Sequence, residues 1–348
     1  MRWGILLGVA ACYAPNPKAG SPCESSPCPD GLVCSPATLT CEVRAVDASL
    51  SDVTILVDGC TPAPEICGNG VDEDCDGHDA DCPENDTATG AIDVTAGGTF
   101  VANVSAATDD APNTGCGGIG GRDVFYEVSP GAPEVYYVTT FGSNFATAVR
   151  IYPGKTCGAI AGNPTCSDHD CGGAQSQLAL ALPAGTSCIV VDQAADETHG
   201  ALTLEVARGG RTGLPLAAGV HTTTGDSCTG TNASQPPSAC GGGETNTAKD
   251  LAYFFTACPS ETLHLDASTC ADATLTHFDT ELYLRPVGGV TLACNDDNAD
   301  CAARTERPDK PDGSVLTDVA ADGPDLFWLT VDGYSGACGG FQLVTNLR

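Results

Sequence analysis

From residue 85 onward, apolar and polar positions alternate in short runs. Val124, Tyr126 and Val128 alternate with Phe125 and Glu127, Leu282 and Leu284 with Glu281, Tyr283 and Arg285, and Phe327, Leu329 and Val331 with Trp328 and Thr330. Period two is the mark of a β-strand, whose successive side chains point to opposite faces. Each half of this region holds about eight such runs, separated by Gly, Pro, Asn or Asp turns. No window sustains a helical period. Short antiparallel strands at this spacing predict an all-β protein built of β-sandwiches, each sheet with one face inward and one toward water.

The runs recur as two copies of one unit. "CGGIGGRDVFYEV" (116–128) is matched by "CGGGETNTAKDLAYFF" (240–255), and "GSNFATAVRIYPG" (142–154) by "ATLTHFDTELYLRPVGG" (273–289). "CSDHDC" (166–171) is matched by "CNDDNADC" (294–301), and "IVVDQAADETHGALTLEV" (189–206) by "WLTVDGYSGACGGFQLV" (328–344). The offset grows from 127 residues between Asp123 and Asp250 to 140 between Asp192 and Asp332, so the copies differ by loop insertions. Two tandem jelly-roll-like sandwiches are expected, at 85–209 and 210–348.

Composition changes the picture in two ways. With 14 basic against 45 acidic residues in 348, the formal charge of −31 repels nucleic acid and anionic lipid headgroups and makes cations natural partners. The 21 cysteines argue for an oxidising, extracellular setting. Cys166 with Cys171, and Cys294 with Cys301, are close enough in sequence to close their loops as local disulfides. The first sandwich carries five cysteines (Cys116, Cys157, Cys166, Cys171, Cys188) and the second seven (Cys228, Cys240, Cys258, Cys270, Cys294, Cys301, Cys338). Both counts are odd, so either one bridge joins the sandwiches or each keeps a free thiol.

The N-terminal region lacks a core of its own. Arg2 and the apolar run from Trp3 to Ala11 precede Cys12, and "VAAC" resembles the lipobox of bacterial lipoproteins, which implies a signal peptide at 1–12 and lipidation at Cys12. An ordinary signal peptide is the alternative. Residues 13–59 read as a stalk and linker stapled through Cys23, Cys28, Cys34 and Cys41, with Val53–Val57 as one candidate strand. Its "CPDGLVC" resembles small cysteine-rich modules of secreted myxobacterial proteins.

Residues 60–84 form an acidic module with Cys60, Cys67, Cys75 and Cys82. Within it runs Asp72-x-Asp74-x-Asp76-Gly77. Oxygen ligands on alternate residues of a tightly curling loop converge on one point, and glycine permits the turn, as in EF-hand calcium loops. The twelfth position, where an EF-hand places a bidentate glutamate, is Pro83. Asp79 and Asp81 are the substitute ligands, as in thrombospondin type 3 and dockerin-like loops. The stretch "PEICGNGVDEDCDG" resembles a metal-binding motif of deltaproteobacterial surface proteins, which implies Ca2+ as cofactor. A solvated acidic linker is the alternative, and His78, beside Cys75 and Cys82, suits a softer metal only where thiols stay reduced.

The pattern "GSNF.T...I" to "VVD......G..TL" resembles the bacterial pre-peptidase C-terminal (PPC-like) domain, a jelly-roll sandwich that accompanies secreted peptidases and surface proteins and binds glycans, matrix or neighbouring domains. Asp279, Asp296, Asp297 and Asp332 make a second candidate metal site, with Asp168, Asp170 and Asp192 at matching places in the first copy. Asp-capped turns account for the same residues without a metal. The sequence holds no Gly-x-Ser-x-Gly elbow and no His-Glu-x-x-His, and its six histidines are scattered. His264, in "LHLDA", is expected to face outward from a strand. The expectation is therefore a non-enzymatic, exported, lipid-anchored and calcium-stabilised protein that binds a glycan or another surface protein and reaches the membrane only through its anchor. A secreted hydrolase or its accessory subunit, and a structural spacer, are the rivals.

Overall fold

A computed structural model describes residues 32–34, 40–43, 61–63, 67–112, 114–116, 121–194, 200–240, 247–272, 274–299, 301 and 312–348. The expected signal peptide, Cys12, the stalk cysteines Cys23 and Cys28, the Val53–Val57 run and Cys60 lie outside the described residues. The chain divides into two units, residues 1–63 with 72–78, and residues 64–71 with 79–348. In the first unit, β1 (Leu32–Cys34) and β2 (Cys41–Val43) pair antiparallel, with Cys34 opposite Cys41.

The second unit contains both sandwiches. The first copy has β3 (Ile92–Asp93), β4 (Gly98–Asn103), β5 (Asp123–Val128), β6 (Glu134–Thr139), β7 (Thr147–Tyr152), β8 (Thr165–Asp168), β9 (Gln177–Leu182), β10 (Ser187–Gln193) and β11 (Ala201–Arg208). The second has β12 (Leu214–Pro215), β13 (Gly219–Asp226), β14 (Leu251–Ala257), β15 (Thr262–Ser268), β16 (Thr280–Pro286), β17 (Ala293–Asn295), β18 (Val315–Asp322), β19 (Asp325–Gly333) and β20 (Gly340–Leu347). The sheets of the first copy run β3-β5-β10-β7-β8 and β4-β11-β6-β9; those of the second run β12-β14-β19-β16-β17 and β13-β20-β15-β18. Adding nine to each strand of the first copy gives the second. Even the one parallel pairing recurs, β3 on β5 and β12 on β14. Among the described residues the two copies are tandem all-β sandwiches of nine strands each, the extra strand being the two-residue β3 or β12.

Each copy closes its own core from inward positions of both sheets. In the first, Val124, Tyr126 and Val128 meet Leu202, Leu204 and Val206; in the second, Tyr253 and Phe255 meet Leu265, Phe341 and Leu343. Burying one such side chain contributes roughly 1.5–3 kcal/mol, so each core is a substantial source of stability.

A third apolar cluster joins the copies. Val135 and Tyr137 of β6, on the outer face of the first copy's four-stranded sheet, pack with Ala252 and Phe254 of β14 and with Leu326 and Trp328 of β19. Phe254 and Trp328 meet edge to face at 5.8 Å. The connecting segment is welded into this contact. Arg211 O accepts from Val135 N–H at 2.9 Å, while its guanidinium lies 4.8 Å from the Trp328 ring centre and pairs with Asp250 at 3.2 Å. Gly209 and Gly213 pass so close to Trp328 that a Cβ would come within 2.6 and 2.5 Å of ring atoms, so only glycine fits there. The corresponding outer face in the second copy is polar, with Thr262, His264, Asp266, Asn346 and Arg348. His264, on this outward face, lies 3.1 Å from Asp318.

The disulfides correct the local pairings expected from sequence. Cys166 bonds Cys116, and Cys171 bonds Cys258 of the other sandwich; Cys294 bonds Cys240, and Cys301 bonds Cys270. His169 and Cys171 adopt left-handed backbone, φ 52° and 62°, in the turn that follows Cys166. The Cys171–Cys258 bridge resolves the two odd counts. Cys157–Cys188, Cys228–Cys338 and Cys67–Cys82 complete the described pairs. Cys116–Cys166 and Cys240–Cys294 are one bridge repeated, each tying the cysteine of a Cys-Gly-Gly sequence to the short strand at the sheet edge.

Candidate functional site

The acidic module holds the first expected constellation. Carboxylate oxygens of Asp72, Asp74 and Asp76 lie within 4.8 Å of one another. The curl that brings them together is held by backbone amides. Asp76 N–H donates to Asp72 and Asp74, each at 3.0 Å, Gly77 N–H to Asp72 at 2.8 Å, and His78 N–H to Asp76 at 2.9 Å. This donor set, all oxygen and all anionic, fits a hard cation such as calcium better than a soft one. Cys75 is disulfide-bonded, which removes it as a thiolate ligand. His78 is exposed and contributes its amide to the curl. Asp79 accepts from Gly68 N–H at 2.9 Å and Gly70 N–H at 2.7 Å, which gives it a backbone-holding role; Asp81 is exposed.

The second expected constellation forms in part. Asp279 and Asp297 converge within 4.8 Å together with Asp312, which sequence reasoning missed. Asp332 is engaged otherwise, accepting from Tyr283 Oη at 3.1 Å and from Gly333 N–H at 2.8 Å. Asp296 and Asp332 instead bear on Glu281, a strand residue that sequence reasoning also missed. Burial, then Asp296, Asp332 and Asp279, push the Glu281 carboxyl up to about 8. Seen from sequence, Glu281 is an ordinary polar position on β16; the fold leaves it 1% exposed.

The matching place in the first copy is built differently. Arg150 stands on β7 where the second copy has Tyr283 on β16, and its Nη1 lies 2.6 Å from Asp192 Oδ2. The same guanidinium donates to Cys116 O at 2.9 Å and Pro112 O at 3.4 Å, pinning the loop before β5. Burial pushes Asp192 up to about 7 against the pull of Arg150, and pushes Asp123 up to about 8. Asp123 accepts from the amides of Asp110 and Ala111; its counterpart Asp250 accepts from those of Ala233 and Ser234. Asp168 contacts His169, and Asp170 accepts from Ser167 Oγ and from Gln177 N–H. In both copies the recurrent buried aspartate anchors a loop.

Between the copies opens a cleft of about 470 Å³. Its walls come from β9 of the first sandwich (Gln177, Leu178, Ala179) and from β12, β14 and β15 of the second, with Leu216, Leu263, Asp170 and Glu261 among the lining residues. The Cys171–Cys258 disulfide lies at its edge, and Gln177 Nε2 donates to both of its sulfurs at 3.3 and 3.5 Å. A cleft formed by packing two domains has no counterpart in a motif, so sequence reasoning did not locate it.

No protein-family model matches the chain, and no curated protein is similar to it. Among solved structures, the chain is similar to the pre-peptidase C-terminal domain of a collagenase from Bacillus anthracis, at 12% identity and a TM-score of 0.23, covering 34% of this chain and 94% of that domain. It is also similar to the CUB1-EGF-CUB2 domains of rat MASP-1, at 8% identity and a TM-score of 0.20, covering 74% of this chain and 99% of that one. The repeated strand order, and not these faint likenesses, carries the assignment of tandem sandwiches. The disulfides carry the assignment to an oxidising, extracellular setting.

Proposed function

We propose that this chain is an exported, surface-anchored binding protein that recognises a glycan or another surface protein, with calcium stabilising its acidic module. The observation that carries this reading is the cleft between two sandwiches fixed to each other by apolar packing, by Arg211 and by a disulfide. A rigid concave site of this size falls within the roughly 300–1,000 Å³ of ligand-accommodating clefts. Asp72, Asp74 and Asp76 are the residues that would hold calcium, and anchoring would run through Cys12. Glycan arrays and pull-downs from cell-surface extracts, made with the full chain, test the proposal. Retention that depends on the sandwich pair supports it; a chain that retains nothing from either source would be a spacer.

A further inference from the structure

Two strands at the edges of their sheets line the cleft: β12, two residues long and holding Pro215, and β9, six residues long. Among the described residues β9 pairs on one side only, with β6. Which of its backbone groups face the open side follows from β6. Val135 N–H donates to Arg211 O at 2.9 Å and Val135 O accepts from Gly209 N–H at 2.8 Å, so both backbone groups of Val135 turn away from β9. Ala181, opposite Val135, is therefore at a non-hydrogen-bonded position of the ladder, and its own N–H and C=O turn outward. Two residues back, Ala179 does the same, and Gln177 confirms the parity because its N–H reaches outward to Asp170 at 3.3 Å.

Exposed strand edges are ordinarily guarded by charge, proline, bulges or shortness. The internal repeat supplies the comparison. β18, the counterpart of β9, carries Asp318 in left-handed backbone at φ 51° and Asp322, and faces a register shift between Leu265 and Ala267 of its partner. β9 reads Gln-Leu-Ala-Leu-Ala-Leu and carries no charge, proline or bulge of its own; Asp170 covers its edge at Gln177, short of Ala179 and Ala181. Of the other long edges, neither β4 nor β13 lines the cleft. The cleft adds a charge preference: Asp170 and Glu261 line it, and among the described residues no Lys, Arg or His does.

We infer that β9 is a β-augmentation site, and that its occupant is an extended segment of another protein in which apolar residues alternate with Lys or Arg. This rests on the reading of the chain as a binding protein and names the site and partner chemistry. The added strand takes main-chain hydrogen bonds from Ala179 and Ala181. One row of its side chains prolongs the line of Leu178 and Leu180, and its cations meet Asp170 and Glu261. A second copy of this chain is a poor occupant, because a protein of charge −31 repels itself.

The test uses the full chain and two synthetic probes, acetyl-(Val-Lys)4-amide and acetyl-(Val-Glu)4-amide, with fluorescence anisotropy at physiological salt. Ala181→Pro removes one outward N–H from an exposed position that makes no bond to β6, so the fold is expected to survive and its melting temperature checks this. The Val-Lys probe is expected to bind the parent, to bind Ala181→Pro about five-fold more weakly, and to slow hydrogen exchange at Ala179 and Ala181. The Val-Glu probe is expected not to bind. Equal affinity of parent and Ala181→Pro, or no Val-Lys binding, overturns the site. Dimers in sedimentation that Ala181→Pro abolishes overturn the foreign occupant in favour of a second copy. Cell-surface retention persisting without Val-Lys binding removes this site and leaves the broader reading; Val-Lys binding at β9 without retention does the reverse.

Discussion

Arg150 and Asp192 form an ion pair sealed from solvent, with side-chain exposures of 1% and 0%. Removing the guanidinium leaves a buried carboxylate without its cation and releases the loop carbonyls of Pro112 and Cys116. Arg150→Ala is expected to cost about 3–5 kcal/mol in urea denaturation. A loss below about 1 kcal/mol would mean that water or another cation takes its place.

Burial holds Glu281 at about 8, far above an ordinary carboxylate. A carboxyl that binds its proton more tightly folded than unfolded adds stability at low pH, in full below a pH of about 4. That contribution fades as pH rises and is gone above about 8. With chelator present, Glu281→Gln is expected to flatten the decline in melting temperature between those limits. Parallel parent and variant curves would place the proton elsewhere.

Calcium is expected to raise the melting temperature, and Asp72→Asn, Asp74→Asn and Asp76→Asn together to remove part of that rise. Titration calorimetry without uptake at millimolar calcium would leave the three carboxylates as a backbone-organising loop alone.

The Cys171–Cys258 bridge spans 87 residues of chain, for which loop-closure entropy allows up to about 4–5 kcal/mol. Replacing both cysteines by serine is expected to lower the denaturant midpoint. In a Trp3→Phe background, Trp328 fluorescence should then report separation of the sandwiches before either core unfolds. A single transition at the parent's midpoint would show that apolar packing and Arg211 suffice.

How much was legible follows from range. Period two is local, so the strands and their inward faces could be read from Val124–Val128 or Phe327–Val331; β3 and β12, two residues each, are too short to carry a period. The repeat could be read from ordered matches. Asp72, Asp74 and Asp76 could be read because one curling loop supplies all three. Asp312 could not, since strand ends distant in sequence bring it to Asp279 and Asp297. The disulfides were misread by favouring nearness along the chain. The recurrence of Cys-Gly-Gly in both copies was the available clue to Cys116–Cys166 and Cys240–Cys294, whereas Cys171–Cys258 has no counterpart within either copy.

Trp328, roofed by Gly209 and Gly213 and seated against Phe254, has a consequence for how this protein can change over generations. Parted from each other, the two sandwiches would expose Val135 and Tyr137 on one side and Ala252, Phe254 and Trp328 on the other. Recombination that moved one sandwich to another gene would carry away an oily scar. The heritable module is the pair, and relatives should be sought with both halves present and the glycine-bracketed connection intact.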